Sequence, residues 1–396
     1  MKKLLFALSF TILLFGSCGD KQESMSDLIN DRIQRSIEQS TLMAESLINE
    51  PAKLPKTIDK EGNLVTSNSR WWCSGFFPGT LWYLYEYSKD NQLLDYAKNY
   101  TARIEGQKYT KGTHDLGFML YCSFGNGYRL TGDTAYKSVL FTGAESLASR
   151  YNPVVGCIKS WDWKNKHNWQ FPVIIDNMMN LEFLMWVSEA SGNPFYKEVS
   201  VSHSDVTMKH HFRPDYSCYH VISYDTITGQ PEKKNTHQGY ADESAWARGQ
   251  AWALYGYTMM YRMSKKEAYL EQANHIANFI LTHKNLPEDK IPYWDFDAPE
   301  IPEAKRDASA GAVIASALIE LSQYVDAAKS KEYLSVAETQ LRTLSSPEYF
   351  AEKGTNGNFI LKHSVGSIPG NSEVDVPLTY ADYYYIEALL RWKNLK

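Results

Sequence analysis

Ser88-Lys89-Asp90, Thr131-Gly132-Asp133, Ser191-Gly192-Asn193, Ser264-Lys265-Lys266 and Lys329-Ser330-Lys331 are five versions of one polar turn. Each leads into an apolar residue that opens a new helical pattern: Leu94, Tyr136, Tyr196, Tyr269 and Tyr333. These residues recur after 42, 60, 73 and 64 positions, the length of one helical hairpin plus a loop. A hairpin cannot bury its apolar face alone, so such units stack on their neighbours. The first and last helices can close a sixth pair. The pattern therefore predicts an all-α toroid of about twelve helices, one domain with no internal linker. Unequal periods and long loops disfavour an open superhelix.

Working outward, Leu28, Ile29, Ile33, Ile37, Leu42 and Leu47 fall near multiples of 3.6 residues. The same period runs through 81–87, 93–104, 134–151, 173–190, 245–262, 266–283, 308–324, 331–344 and 380–393. Alternating runs are scarce; 219–224 and 358–361 are the strand candidates. The longest connectors, 152–171 and 214–243, hold Trp161, Trp163, Trp169, His167, His220 and His237. Polar and aromatic residues gathered in connectors at one rim describe a ligand mouth.

The chain has 396 residues, 43% hydrophobic and 22% charged, an ordinary globular composition. Net charge is −5 with no basic block, which argues against a nucleic-acid groove. The 11 Trp, 27 Tyr and 16 Phe suit a helix-packed core or a carbohydrate groove, and core packing accounts for most of them. Lys2 and Lys3 precede an apolar run, 4–15, too short to span a bilayer comfortably. It ends in Gly16-Ser17-Cys18, like a bacterial lipoprotein cleavage site. The expected division is 1–17 signal peptide, 18–26 lipidated Cys18 and tether, and 27–396 catalytic domain. The expected location is the periplasm or the outer membrane, with membrane contact only through the lipid. The remaining Cys73, Cys122, Cys157 and Cys218 are widely spaced and read as buried free thiols.

The sequence carries no P-loop, no dinucleotide-binding glycine pattern, no HExxH and no Gly-x-Ser-x-Gly elbow. The adjacent His210 and His211 do not share a helix face, so no metal site or cofactor is expected. What remains is acids set among apolar residues. Asp115 opens a helical run in His114-Asp115-Leu116-Gly117-Phe118, where it suits a helix cap as well as a catalytic carboxylate. Asp176 sits inside the apolar run Val173-Ile174-Ile175-Asp176-Asn177-Met178-Met179-Asn180. Burial raises a carboxyl pKa and a second carboxylate raises it further. An acid kept protonated near neutral pH suits general-acid chemistry; a buried Asp satisfied by hydrogen bonds is the alternative. Arg248 and Trp252, four apart, share a helix face suited to a carboxylate and a ring. Together these point to an acidic sugar.

With Trp72-Cys73-Ser74-Gly75-Phe76-Phe77-Pro78-Gly79, Arg248-Gly249-Gln250-Ala251-Trp252, Asp375-Val376-Pro377 and Tyr380-Ala381-Asp382-Tyr383-Tyr384, these motifs resemble the unsaturated glucuronyl hydrolases, glycoside hydrolase family 88. The resemblance runs from about Trp71 to Trp392. It implies an (α/α)6 barrel and a substrate left by polysaccharide lyases: an oligosaccharide with a C4=C5 unsaturated uronic acid at its non-reducing end. It implies Asp176 as general acid and base and Asp115 as the second essential carboxylate. Trp72, His114, Trp161, His220, Gln238, Arg248 and Trp252 match its sugar-binding positions. Ser364 and Ser367 fall in a segment that the family associates with sulfated substrates, but no Lys follows at the expected place; Lys362 and His363 precede them. Two other readings are an unsaturated rhamnogalacturonyl hydrolase of pectin breakdown and a glycan-binding lipoprotein without activity.

Overall fold

The computed structural model describes residues 23–162 and 167–395; the expected signal peptide, Cys18 and Trp163 lie outside the described residues. Twelve α-helices follow one another: α1 Met25–Leu47, α2 Phe76–Ser88, α3 Asn91–Ala102, α4 Asn126–Thr131, α5 Thr134–Ala148, α6 Leu181–Ser191, α7 Phe195–His210, α8 Ala247–Ser264, α9 Glu267–Thr282, α10 Ala308–Leu321, α11 Ala327–Leu344 and α12 Thr379–Lys393. A π-helical stretch, Gly117–Gly125, runs straight into α4. The even-numbered helices form the inner ring of an (α/α)6 barrel and the odd-numbered ones the outer ring. Every residue of the inner α10 is buried, whereas the outer α3 buries only Leu93, Ala97, Tyr100 and Thr101. An inner helix is apolar all round because helices surround it; an outer one keeps a single apolar stripe.

The repeated turns join each inner helix to the next outer one. Lys89, Gly132, Gly192 and Lys265 take the left-handed conformation that closes α2, α4, α6 and α8. Asp90 and Asp133 then cap α3 and α5 through backbone N–H groups. The fifth turn was placed late in the sequence: α11 already starts at Ala327, capped by Asp326. All these short turns gather at one mouth of the barrel. The ring closes where α12 meets α2, with Tyr83 and Tyr383 rings 5.0 Å apart and Tyr83 Oη donating to Glu387 at 2.9 Å. The start of α1 lies at this same mouth, Asn30 accepting from Tyr87 of α2 at 2.8 Å and from Lys393 of α12 at 3.3 Å.

The long connectors, from outer to inner helices, crowd the other mouth and hold the strands: β1 Leu54–Ile58, β2 Leu64–Ser67, β3 Tyr151–Asn152, β4 Cys157–Ile158, β5 Pro172–Ile174, β6 Val221–Tyr224, β7 Pro231–Asn235, β8 Ser364–Ser367 and β9 Ser372–Val376. β1–β2, β3–β4 and β8–β9 are antiparallel hairpins; β5, β6 and β7 make an antiparallel sheet in that order. Three expectations are corrected. Segment 173–190 is not one helix but β5, a 3-10 turn over Ile175–Asn180 and α6. Segment 358–361 is no strand, having only an isolated bridge from Leu361 to Phe350. Helix α5 stops at Ala148, and Tyr151 belongs to β3. Between the mouths the barrel is plugged by rings: Phe118 lies 5.4 Å from Trp252, and Trp252 5.4 Å from Tyr384. The glycines of the Trp72–Gly79 motif follow from packing. A Cβ on Gly75 would stand 2.1 Å from the Phe118 carbonyl oxygen, so α2 reaches the π-helix only with Gly there. Cys73, Cys122, Cys157 and Cys218 are buried and free.

Candidate active site

Six inner helices begin at the connector mouth, and a cavity of about 350 Å³ opens among their N-termini. Its walls include Trp72 before α2, His114 and Asp115 before the π-helix, Asp176 before α6, Arg248 in the first turn of α8 and Tyr380 in the first turn of α12. Trp161, Gln238 and Ser367 complete it from the connectors. Helix N-termini carry partial positive charge, so this mouth favours an anion. A larger cavity, about 670 Å³, lies at the short-turn mouth, lined by Arg–Glu pairs such as Arg129–Glu86 at 2.6 Å and Arg262–Glu182 at 2.7 Å. The smaller one holds both candidate carboxyl groups and is the site.

Asp176 sits in the 3-10 turn and is 7% exposed. Burial pushes its carboxyl up to about 7; Arg248 opposes the shift and Asp115 adds to it. Asp176 Oδ2 is buried without a hydrogen-bond partner, and the indole N–H of Trp252 lies against the carboxyl, where it favours the charged form. An acid on a cavity wall whose carboxyl is not committed to strong hydrogen bonds is poised to move a proton. Asp382 provides the contrast. Burial also raises it to about 7, but it is spent accepting the N–H groups of Ile360 and Leu361 at 3.0 and 2.8 Å. Geometry, not acidity, separates the two.

Asp115 does not cap its helix. Thr113 Oγ1 donates to its Oδ2, and His114 Nε2 stands 3.2 Å from its Oδ1. His114 Nδ1 meets the Ser160 carbonyl at 3.2 Å, which fixes the ring. Asn180 ties the two acidic segments together: its Oδ1 accepts from Phe118 N at 3.0 Å and its Nδ2 donates to the Asp176 carbonyl at 3.3 Å. Asn177 Nδ2 donates to the Ile158 carbonyl at 2.8 Å, so both asparagines of the Asp176–Asn180 motif are braces.

His220 lies behind Asp176. Its Nδ1 accepts the backbone N–H groups of His237 and Gln238 at 3.2 and 3.3 Å, so the ring proton is on Nε2, 3.7 Å from Asp176 Oδ2. Burial drives its pKa well down, keeping the ring neutral. It stacks on Trp246 at 4.4 Å. Arg248, 1% exposed, lies 4.5 Å from the Trp246 ring and 5.3 Å from that of Tyr380. Its Nη1 meets Asp307 Oδ2 at 3.1 Å and the Val365 carbonyl, its Nη2 donates to the Gly366 carbonyl at 2.8 Å, and its Nε is unpartnered. Gln238 donates to the same Gly366 carbonyl at 3.0 Å.

Of the expected site residues, Trp72, His114, Asp115, Trp161, Asp176, Gln238, Arg248 and Ser367 share the cavity wall. His220 and Trp252 adjoin Asp176 from behind it instead. Ser364 is the correction: it is fully buried, its hydroxyl unpartnered, and it does not line the cavity. The β8–β9 pairing is irregular between Ser364 and Val365, and of the two serines only Ser367 lines the cavity. The sequence reading also missed Glu373 as a wall residue, joined to Lys56 of β1 at 3.4 Å, with Lys56 4.3 Å from the Trp71 ring. No local signal marks Glu373; only the pairing of β8 with β9 brings it there.

An inner-ring barrel mouth with a protonatable carboxyl beside a second acid and aromatic walls defines a carbohydrate-processing enzyme. The sequence profile of Glycosyl Hydrolase Family 88 matches residues 45–394, and the chain belongs to that family. It is 48% identical over 356 residues to an unsaturated glucuronyl hydrolase of Formosa agariphila, covering 89% of this chain and 88% of that one. It is 34% identical to an unsaturated chondroitin disaccharide hydrolase of Streptococcus agalactiae, covering 81% of each chain. A crystal structure of an unsaturated glucuronyl hydrolase specific for heparin superposes with a TM-score of 0.90 at 50% identity, over 93% of this chain and 97% of that one.

Proposed function

We propose that this hydrolase releases the C4=C5 unsaturated uronic acid from the non-reducing end of glycosaminoglycan oligosaccharides made by a lyase. The observation that carries the reading is Asp176 in the cavity wall, its carboxyl raised by burial to about 7. The substrate is a vinyl ether. Asp176 delivers its proton to C4, and positive charge develops on C5 and the ring oxygen. The carboxylate so formed takes a proton from a water that adds to C5. The resulting hemiketal opens, and the aglycone leaves as an alcohol without attack at C1. Asp115, held by Thr113, binds sugar hydroxyls. Arg248 and the helix N-termini supply positive charge toward the uronate, while Trp72 and Trp161 face the sugar rings. The names of the relatives span heparin and chondroitin fragments, which supports a glycosaminoglycan substrate.

The test is loss of the double bond's ultraviolet absorbance on mixing the protein with lyase digests. Decay with chondroitin or heparin digests is expected. Decay with rhamnogalacturonan digests alone transfers the activity to pectin breakdown, and unchanged absorbance with every digest leaves a glycan binder.

We also propose that the chain is exported and lipidated at Cys18, held at a membrane surface downstream of the lyase. Cys18→Ser is expected to move the protein from the detergent phase to the aqueous phase in Triton X-114 partition; equal partition of both forms overturns the anchor.

A further inference from the structure

A second cavity, about 450 Å³, has a wall that includes Lys111, Arg150, Lys159, Asp162, Tyr151 and Phe171. It is next door to the active site: Ser160 holds His114, Trp161 lines the catalytic cavity, and Asp162 lines this one. Three positive side chains face a single carboxylate. Arg150 and Lys159 are brought together across the β3–β4 hairpin, where Lys159 N donates to the Arg150 carbonyl at 3.0 Å. Arg150 is 8% exposed. Its Nε donates to the Lys159 carbonyl at 2.8 Å and its Nη1 to Asp162 at 2.7 Å and to the Lys111 carbonyl, but its Nη2 has no partner. An unpartnered donor on a buried guanidinium is costly, and a bound anion is one of the partners that offsets the cost. Asp162, half exposed, bridges Arg150 and Lys159, the latter at 3.1 Å, so a carboxylate already sits at one edge of the cluster.

We infer that Lys111, Arg150 and Lys159 form an anion site that receives a sulfate ester or a carboxylate on the sugar chain beyond the unsaturated residue. The site rests on the proposed substrate class and deepens it. A chain whose terminal uronate occupies the catalytic cavity and whose next sugar crosses Trp161 brings its acidic group against Lys111 and Lys159. Arg150 supplies the buried charge beneath, and Tyr151 and Phe171 give the sugar an aromatic wall.

The test compares three unsaturated substrates: an unsulfated chondroitin disaccharide, the same disaccharide sulfated on its hexosamine, and an unsulfated tetrasaccharide with an internal uronate. The double variant Lys111→Gln/Lys159→Gln is set against Lys111→Arg/Lys159→Arg. In the Gln variant KM for the sulfated disaccharide or the tetrasaccharide, relative to the unsulfated disaccharide, is expected to rise about tenfold with kcat little changed; the Arg variant restores the ratio. A rise for the sulfated disaccharide alone identifies a sulfate ester, and a rise for the tetrasaccharide alone a carboxylate. Unchanged ratios for both, or an equal loss on all three substrates, overturn the site. Failure of the unaltered protein on every substrate instead sinks the proposed activity and is read before any variant is made.

Discussion

Asp176→Asn is expected to lower kcat by about a thousandfold while leaving KM within a few-fold, because one carboxyl serves both proton transfers and nothing else at the site replaces it. The same residue sets the pH profile. The acid form is required, and burial places its midpoint at about 7. Activity should therefore fall tenfold per unit as pH rises above that value. Stability moves in the same direction. The folded-state pKa lies above the ordinary 3.8, so the folded protein holds this proton more tightly than the unfolded chain. That contribution favours the fold at low pH and is lost as pH rises from about 4 to about 7. The Asn variant carries no such dependence. Its stability relative to the parent should rise by about 2 kcal/mol between pH 5 and pH 8. Urea titrations at the two pH values, beside ultraviolet assays, measure both effects. A variant keeping a tenth of the parental kcat would remove Asp176 from the chemistry.

Asp307→Ala should produce the largest loss of stability. Asp307 and Arg248 form an ion pair that is 0% and 1% exposed, with the Arg248 side bordering the catalytic cavity. Truncating one partner strands the other's charge in the interior, at a cost of about 3–5 kcal/mol. Three more bonds go with it, one of them from the Ser309 hydroxyl at 2.6 Å. Asp307 Oδ1 caps α10 through Ser309 N at 3.0 Å and accepts Val365 N from β8 at 3.3 Å. Asp307→Asn keeps the shape and loses the charge, so it should fall between the parent and the Ala form. Thermal or urea unfolding gives the answer; a midpoint shift worth under about 1 kcal/mol for the Ala form contradicts the account. Activity should drop beside stability, since Arg248 and the β8 carbonyls it holds border the catalytic cavity.

The ring of helices was legible because its signals are local. Four of the five polar turns contain the residues that close inner helices, and in the first two Asp90 and Asp133 cap the outer helices that follow. Asp115 and Asp176 were legible for a different reason: an acid in an apolar run is conspicuous. What lay hidden depends on partners distant in the chain. The 173–190 segment has helical spacing, yet β6 captures its first residues as a strand. That capture turns Asp176 into the opening of a 3-10 turn at the cavity rather than one position on a helix face. Ser364 and Ser367 looked equivalent until the irregular pairing with β9 left only Ser367 on the cavity wall. The pairing of Arg248 with Asp307 joins residues 59 apart, and neither position announces the other.

Under the proposed Cys18 anchor, the entry of α1 beside the exit of α12, at the short-turn end, would orient the barrel. Any leash fastened upstream of Ser24 grips the barrel by its back. The catalytic opening then looks away from the surface that holds the leash, toward the fluid through which oligosaccharides diffuse. Tethering so arranged would leave the approach of a long sugar chain unobstructed.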